Sequence, residues 1–295
     1  MINFIKKLSA ISPRYGVDEM KAAKIITGEF KDNNISFVEE KYESSVPRIT
    51  SAKLLIDNIE VPCIGSSFKG GLISKQSDVL SSSHTNEISV VYFSDEPTVT
   101  VSKKDLLRIS FANEIKGEVR VVEEKYTTEN ILVGNNTNPE TIIFAHYDSI
   151  IGPGAVDNAA AVALLIELIK QNVKLLTSHL FVFIGNEEIS YDRALTYDGH
   201  GFRVFSSAHT DLINLAQQII VVDGIGVSTP TFSQEGLELV FQLENLTEIS
   251  QKVFWLQNDQ ALVLQNYHSL SDTVDKINPI YLEEAKDLLI HKITS

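Results

Sequence analysis

Three apolar runs, TIIFA (141–145), HLFVFIG (179–185) and IIVVD (219–223), punctuate the second half of the chain without polar residues at alternate positions. A strand with one wet face alternates, whereas one covered on both faces does not. Between the first two runs lies AAAVALLIELIK, apolar at helical spacing, and TDLINLAQ stands between the second and third. Strand, helix, strand, helix in this order predicts a three-layer α/β/α fold around a central mixed, mostly parallel sheet. EVRVVEE and NILVG before these runs, and LELVFQL and ALVLQ after them, read as further strands, and a last helix is led in by Pro279. Two amphipathic helices open the chain, around Ile2 to Ile11 and Val17 to Phe30, with Met20, Ala23, Ile26 and Phe30 at helical spacing; a strand-like ISFVEEKYE follows.

From about residue 46 to 111 the texture changes to short β-type runs (AKLLI, GGLIS, EISVVYF, TVTVS) separated by Gly, Ser and Asp/Glu-Pro breaks. This predicts a small β-rich insertion over 46–111 inside a discontinuous domain formed by 1–45 and 112–295. The 295 residues are ample for such a core. A single cysteine, Cys63, cannot form an internal disulfide, and MINFIKKLSAISPRYGVDEM lacks the apolar core of a secretion signal, so a cytoplasmic location is expected. No stretch of eighteen uninterrupted apolar residues predicts a membrane span. With 25 Lys plus Arg against 39 Asp plus Glu, the net charge of -14 is a poor match to the phosphate backbone of nucleic acid, and neither nucleic acid nor a membrane is expected as partner. Assembly into a homo-oligomer is left open.

Ionisable groups stand at the downstream end of the buried runs. TIIFA ends at His146, HLFVFIGN at Glu187 and Glu188, IIVVD at Asp223 and ALVLQNY at His268, while Asp157 stands where the alanine-rich helix begins. In open α/β sheets the ligand crevice lies outside the carboxyl ends of the strands, so these groups converge on one edge. Taken singly, Asp157 is as readily a helix N-cap, and a Glu pair is ordinarily solvated surface. Together, two His and three carboxylates suit zinc, with cobalt or manganese as substitutes, and their number suits two ions sharing a bridging carboxylate. A two-metal centre activates water and polarises a carbonyl at once. Glu187, the spare member of the pair, is then placed as general base. Asp148, two residues after His146, is placed to hold the other imidazole nitrogen, and Asp272 to do the same for His268.

HYDS, GAVDNAAAVALL, GNEE, VVDG and YHSLSDTVDKI resemble, in order, the motif series of metallopeptidase family 28 of clan MH, which contains co-catalytic di-zinc aminopeptidases. The resemblance runs from about Glu118 to the C-terminus, and KLSAISPRYG resembles the family's opening segment. It implies two zinc ions, one held by His146 and Asp223 and the other by Glu188 and His268, with Asp157 bridging and Glu187 as base. It further implies that Tyr267 steadies the oxyanion and that the Asp157–Asn158 peptide is cis. The chain departs from the family pattern at ISYDRALTYDGHGFRVFSS, an extra segment after GNEE that reads as a lid over 189–205, and in lacking a Ser-Asp-His element before the last strand. The insertion resembles the protease-associated module of some relatives through DEPTVTVSKKDLLRI.

The expected activity is that of a metallo-aminopeptidase acting on peptide substrates, with Glu187 passing the proton of the metal-activated water to the leaving amine. A carboxypeptidase would need a cation for the substrate carboxylate, and Arg193 and Arg203 in the long segment keep that alternative open. A glutaminyl-cyclase-like enzyme or a non-enzymatic binding homologue are the other readings the resemblance allows.

Overall fold

The computed structural model describes residues 1–295. Its elements are α1 (Ile2–Ser9), α2 (Glu19–Asp32), β1 (Val38–Ile56), β2 (Ile59–Val61), β3 (Ile64–Gly65), β4 (Gly71–Ile73), β5 (Val79–Ser81), β6 (Val99–Val101), α3 (Lys103–Ser110), β7 (Ile115–Gly134) and β8 (Thr141–His146). There follow α4 (Ala160–Gln171), β9 (His179–Ile184), α5 (His200–Ala208), α6 (Thr210–Leu215), β10 (Gln218–Val222), β11 (Thr231–Ser233), α7 (Leu246–Ile249), β12 (Val253–Gln257), α8 (Gln260–Val263) and α9 (Pro279–Thr294).

The main sheet has the order β11-β12-β10-β8-β9-β7-β1-β2, with β4 added on β7. Side chains of the buried strands divide strictly between two cores. Ile143, Ala145, Phe181, Phe183, Ile220 and Val222 face the layer of α1, α2, α4 and α9. Ile142, Phe144, Leu180, Val182, Ile219 and Val221 face the layer of α5 and α6. This is why neither register of these strands could be polar: each successive residue enters one core or the other. In the second core the Phe144 ring meets Phe202, Phe205 and Phe241 at centroid distances of 5.5, 5.2 and 5.3 Å. Such aromatic contacts add about 0.5–1.5 kcal/mol each to simple burial.

The three layers are those expected, but the parallel part of the sheet is confined to β12, β10, β8 and β9. All other pairings in this main sheet are antiparallel. The reason is β1 and β7, which pair along their whole length from Val38–Leu132 to Ile56–Ile115 as one long ribbon. EVRVVEE and NILVG are therefore parts of a single strand. A register shift between Ile49 and Ser51 bends the ribbon, as an extra unpaired residue does. Beyond it the strands leave the main core and pack on a separate cluster that includes Leu54, Val99, Val101 and Val119, with the small sheet β3-β6-β5.

Two expected strands are not strands. LELVFQL forms a short 3-10 turn and irregular chain; Leu237, Val240 and Phe241 are buried while Leu239 is exposed, a three-to-four spacing that caps the second core. ALVLQ begins as α8 because the Asp259 carboxylate accepts the Ala261 N–H and starts a helix there. The strand that adjoins β10 is instead VFWLQ, β12.

Candidate metal centre

β8, β9 and β10 are parallel neighbours, so their carboxyl ends share one edge. Val221 is level with Phe144, which brings Asp223 level with His146 two residues on. Ile184, level with His146, leads through Gly185 and Asn186 to Glu187 and Glu188. Both glutamates are buried, 7% and 4% exposed, and so are not the solvated surface pair that their types suggest. Asp157 lies in the non-helical turn ahead of α4, with a cis peptide bond to Asn158. It does not cap the helix: the N-cap position is Ala159, and no side chain caps it. His268 enters from a turn after α8, at a left-handed φ of 45°.

Ligand atoms of His146, Asp157 and Asp223 all lie within 4.8 Å of one another, and the same is true of Asp157, Glu188 and His268. Asp157 belongs to both groups through different oxygens. Its Oδ1 is 3.0 Å from His146 Nε2 and its Oδ2 is 3.5 Å from His268 Nε2. Asp223 Oδ2 is 3.4 Å from His146 Nε2, and Glu188 Oε2 is 2.6 Å from His268 Nε2. Although so near Glu188, His268 Nε2 has no hydrogen-bond partner, and neither has the buried Glu188 Oε1. Both atoms are buried at the edge of the cluster, where an ion would meet them. The two groups fit a metal pair in number, donor type and arrangement.

Support reaches the centre from several sides. Asp148 places Oδ1 3.3 Å from His146 Nδ1 and accepts the Glu188 N–H at 2.9 Å with Oδ2. Asp272 does not hold His268, as its spacing predicts; its two oxygens accept the N–H groups of Val156 (2.8 Å) and Asp157 (3.1 Å). No helix starts at His268 to bring Asp272 round, and the Nδ1 of that ring instead meets the Val90 carbonyl at 3.0 Å. Asn158 donates to the Val222 carbonyl at 2.9 Å and ties the Asp157 turn to the end of β10. Arg14, 0% exposed, donates to the carbonyls of Tyr147 (2.9 Å), Pro153 and Gly154 (2.9 Å) and so fixes the loop between His146 and Asp157. The sequence reading passed over Arg14, Ser89 and Val90. The only signal for Arg14 was an arginine between Pro13 and Tyr15, between two apolar helices; for Ser89 and Val90 there was none.

Burial and mutual repulsion set the ionisation of the cluster. Burial pushes Glu187 well above the usual carboxylate range against the pull of His146, with Glu188, Asp198 and Asp148 adding to the rise. Burial likewise raises Glu188 to about 7 and Asp272 to about 7, Asp157 adding to each. Burial favours neutral imidazoles, yet Glu187 and the other carboxylates hold His146 well above its ordinary value, and Glu188 first of all holds His268 at about 9. Burial lowers Arg14 only to about 10, so it stays charged at neutral pH.

Tyr267 stacks on the His268 ring at 3.5 Å between centroids. The two arginines proposed from sequence for substrate carboxylates are engaged elsewhere. Arg193 pairs with Asp95 and lies over the Phe68 ring at 3.8 Å. Arg203 donates to the carbonyls of Asp198 and Asp192 and is 3.8 Å from the Asp192 carboxylate. The extra segment after GNEE is shorter than expected because α5 already begins at His200. Its irregular part is pinned to β1 by the Tyr191 N–H on the Ser45 carbonyl (2.9 Å) and to the insertion by the Tyr191 hydroxyl on the Phe68 carbonyl (2.8 Å).

The α/β/α fold thus gathers imidazoles and carboxylates at the ends of parallel strands, in two groups that could each hold a metal ion. Residues 130–232 match the family model described as peptidase family M28. No curated protein sequence matches it. The fold is similar to that of the peptidase M28 precursor from Shewanella amazonensis SB2B (TM-score 0.71, 14% identity, covering 99% of this chain and 91% of that one). It is also similar to BSAP, a zinc aminopeptidase from Bacillus subtilis (0.68, 15%, 98% and 92%), and to the glutaminyl cyclase of an Acidobacteriales bacterium (0.53, 15%, 99% and 92%). No helix is long and apolar enough to cross a membrane.

Proposed function

We propose that this chain is a zinc-dependent aminopeptidase. The observation that carries the proposal is Asp157, whose two oxygens address two separate imidazole–carboxylate pairs. His146 and Asp223 would hold one zinc ion, Glu188 and His268 the other, with Asp157 shared. Zinc bound there supplies Lewis acidity and lowers the pKa of water.

The remaining work belongs to the chain's own groups. Glu187 is in neither ligand group, is buried, and lies near enough to His146 to be the foremost of the carboxylates that raise it. Its raised affinity for protons suits a base that takes one from water and hands it to the leaving amine. Tyr267, which burial and the carboxylates keep firmly protonated, is a hydroxyl donor for the developing oxyanion. The surplus of carboxylates suits a terminal ammonium, and the engagement of Arg193 and Arg203 elsewhere speaks against recognition of a terminal carboxylate. The likeness in fold to a zinc aminopeptidase supports the same reading.

The test is elemental analysis of the purified protein followed by parallel assays on free aminoacyl anilides, N-acetylated anilides, C-terminally free N-blocked dipeptides and glutaminyl peptides. Two zinc ions per chain, with chelator-sensitive hydrolysis of the free-amine substrates alone, is the expected result. Turnover confined to the blocked dipeptides or to glutamine cyclisation overturns the aminopeptidase assignment.

A further inference from the structure

Every ligand of the candidate centre except His268 is carried by the main sheet or the helix next to it. His268 sits in a turn, where Tyr267 stacks on its ring, Glu188 faces its Nε2, and its Nδ1 meets a residue of the β-rich insertion. The His268 Nδ1 and the Val90 carbonyl are 3.0 Å apart, and the Val90 N–H donates back to the His268 carbonyl at 3.1 Å. The Ser89 hydroxyl donates to the Tyr267 carbonyl at 2.7 Å, and Ser89 and Ser269 form an isolated antiparallel bridge. Three consecutive residues around the histidine are thus clamped by two residues of the insertion, from a point 178 positions earlier in the chain.

The chemistry of the clamp is specific. A histidine that ligates through Nε2 needs its proton on Nδ1, and a fixed acceptor at Nδ1 sets both the tautomer and the ring plane. Asp148 lies in the corresponding place for His146, its Oδ1 3.3 Å from that Nδ1 and two residues along the chain. For His268 the acceptor is the backbone carbonyl of Val90, which lies 178 positions earlier in the chain.

We propose that the insertion is a working part of the metal centre: Ser89 and Val90 position His268, so that filling of the Asp157–Glu188–His268 group requires the insertion to be docked, while the His146–Asp157–Asp223 group does not. The inference rests on reading these residues as metal ligands. Ser89 and Val90 are positioning residues that touch neither substrate nor ion. A substrate or partner that shifts the insertion would therefore change the occupancy of one metal position and leave the other filled.

The experiment is calorimetric zinc titration of the metal-free full chain, with elemental analysis after dialysis, on wild type, Val90→Pro, Ser89→Ala, His268→Ala and, as a remote control in the insertion, Leu72→Ser, whose side chain is 78% exposed. Val90→Pro removes the N–H that donates to His268, and Ser89→Ala removes the hydroxyl that donates to Tyr267. Wild type and Leu72→Ser are expected to bind two ions. Val90→Pro should bind one with wild-type affinity and the other roughly 10- to 100-fold more weakly, the usual loss when support for a metal-bound histidine is removed. Ser89→Ala should shift the same site in the same direction by a smaller factor, and it keeps the test available where the proline variant does not fold. The Nδ1–H tautomer of His268, read from imidazole nitrogen shifts, should become mixed in Val90→Pro. Two unaltered sites in a folded Val90→Pro, or equal weakening of both, overturns the proposal. A wild type that binds no zinc, or a His268→Ala that still binds two ions, would instead sink the underlying ligand assignment.

Discussion

Asp272 holds Asp157 by the backbone, one oxygen accepting the Val156 N–H and the other the Asp157 N–H. The carboxylate common to both groups is thus aimed by a second carboxylate that holds the two backbone N–H groups leading into it. Asp272→Asn keeps one acceptor and turns the other position into a donor facing an N–H. Zinc affinity should fall roughly 10- to 100-fold, and both ions should be affected because Asp157 serves both groups. A titration in which only one site weakens would contradict the shared role of Asp157.

Glu187 and Glu188 are neighbours with opposite expected fates. Glu187→Gln should leave two zinc ions bound and lower kcat by about a hundredfold or more, the scale of a lost general base. Glu188→Gln should lower zinc occupancy first and activity in consequence. Metal analysis beside steady-state kinetics decides the matter, and equal metal loss in the two variants would mean that the roles are exchanged.

The pH dependence of stability should reverse with metal content. In the metal-free protein Glu188 and Asp272 titrate near 7, above their ordinary ranges, because burial disfavours the charged form. A raised carboxyl stabilises the fold while protonated, and that contribution disappears as the pH rises through 7. The His268 imidazolium, held at about 9 by Glu188, adds stability that is lost as the pH passes 9. The metal-free melting temperature should therefore fall from about pH 6 to pH 9. Zinc requires deprotonated ligands, so the stabilisation that it confers should grow over the same interval. Thermal scans with zinc and with chelator at each pH test both slopes.

The parts of this site that were legible in the sequence share a property: each stands at the end of an apolar run or at the start of a helix that the local pattern marks. His146, Asp223 and the Glu187–Glu188 pair follow strands whose side chains enter two cores, and such strands cannot be written in any other way. His268 reaches the same edge although the run before it is no strand, because α8 and the turn behind it bring the residue there. Asp272 and Asp148 were both marked as supports, but only the short-range one could be given its partner, since the contact of Asp272 with Val156 spans 116 positions. Val90 acts through backbone atoms, so its side chain carries no trace of the task. Nor does composition reveal that β1 and β7 continue from the main sheet into the insertion, which depends on a register shift at Ile49.

Arg14 should matter most when the metals are absent. It is wholly buried, satisfies the carbonyls of Tyr147, Pro153 and Gly154, and feels the charges of Asp272, Asp148, Glu188 and Asp157. Arg14→Met preserves bulk but leaves those carbonyls without donors and the carboxylates without a permanent countercharge. Breaking such a buried arrangement costs about 3–5 kcal/mol. Urea unfolding should show the loss in chelator, with a smaller loss in saturating zinc, whose own charge offsets part of the repulsion. A loss below 1 kcal/mol, the ordinary scale of a surface pair, would assign Arg14 to loop packing alone.

The segment between Glu188 and α5 should govern what the site accepts, and Tyr197 is the residue through which it does so. Its ring packs on Phe68 at 5.7 Å and on Phe93 at 6.4 Å, both from the insertion. Burial raises the Tyr197 phenol, a backbone hydrogen bond at Phe93 opposes the rise, and the charges of Asp198 and Glu188 add to it. A substrate side chain lying beside the centre would meet this wall. Tyr197→Ala should raise KM for aromatic and large aliphatic N-terminal residues roughly two- to tenfold, the worth of one lost aromatic contact. For alanyl substrates, too short to reach the wall, KM should hardly change, and kcat and zinc content should be preserved. A panel of aminoacyl anilides read for KM and kcat separately makes the comparison. A uniform drop in kcat across the panel would show that Tyr197 supports the reacting groups themselves, and unchanged constants would leave the segment a structural strap between β1 and the insertion.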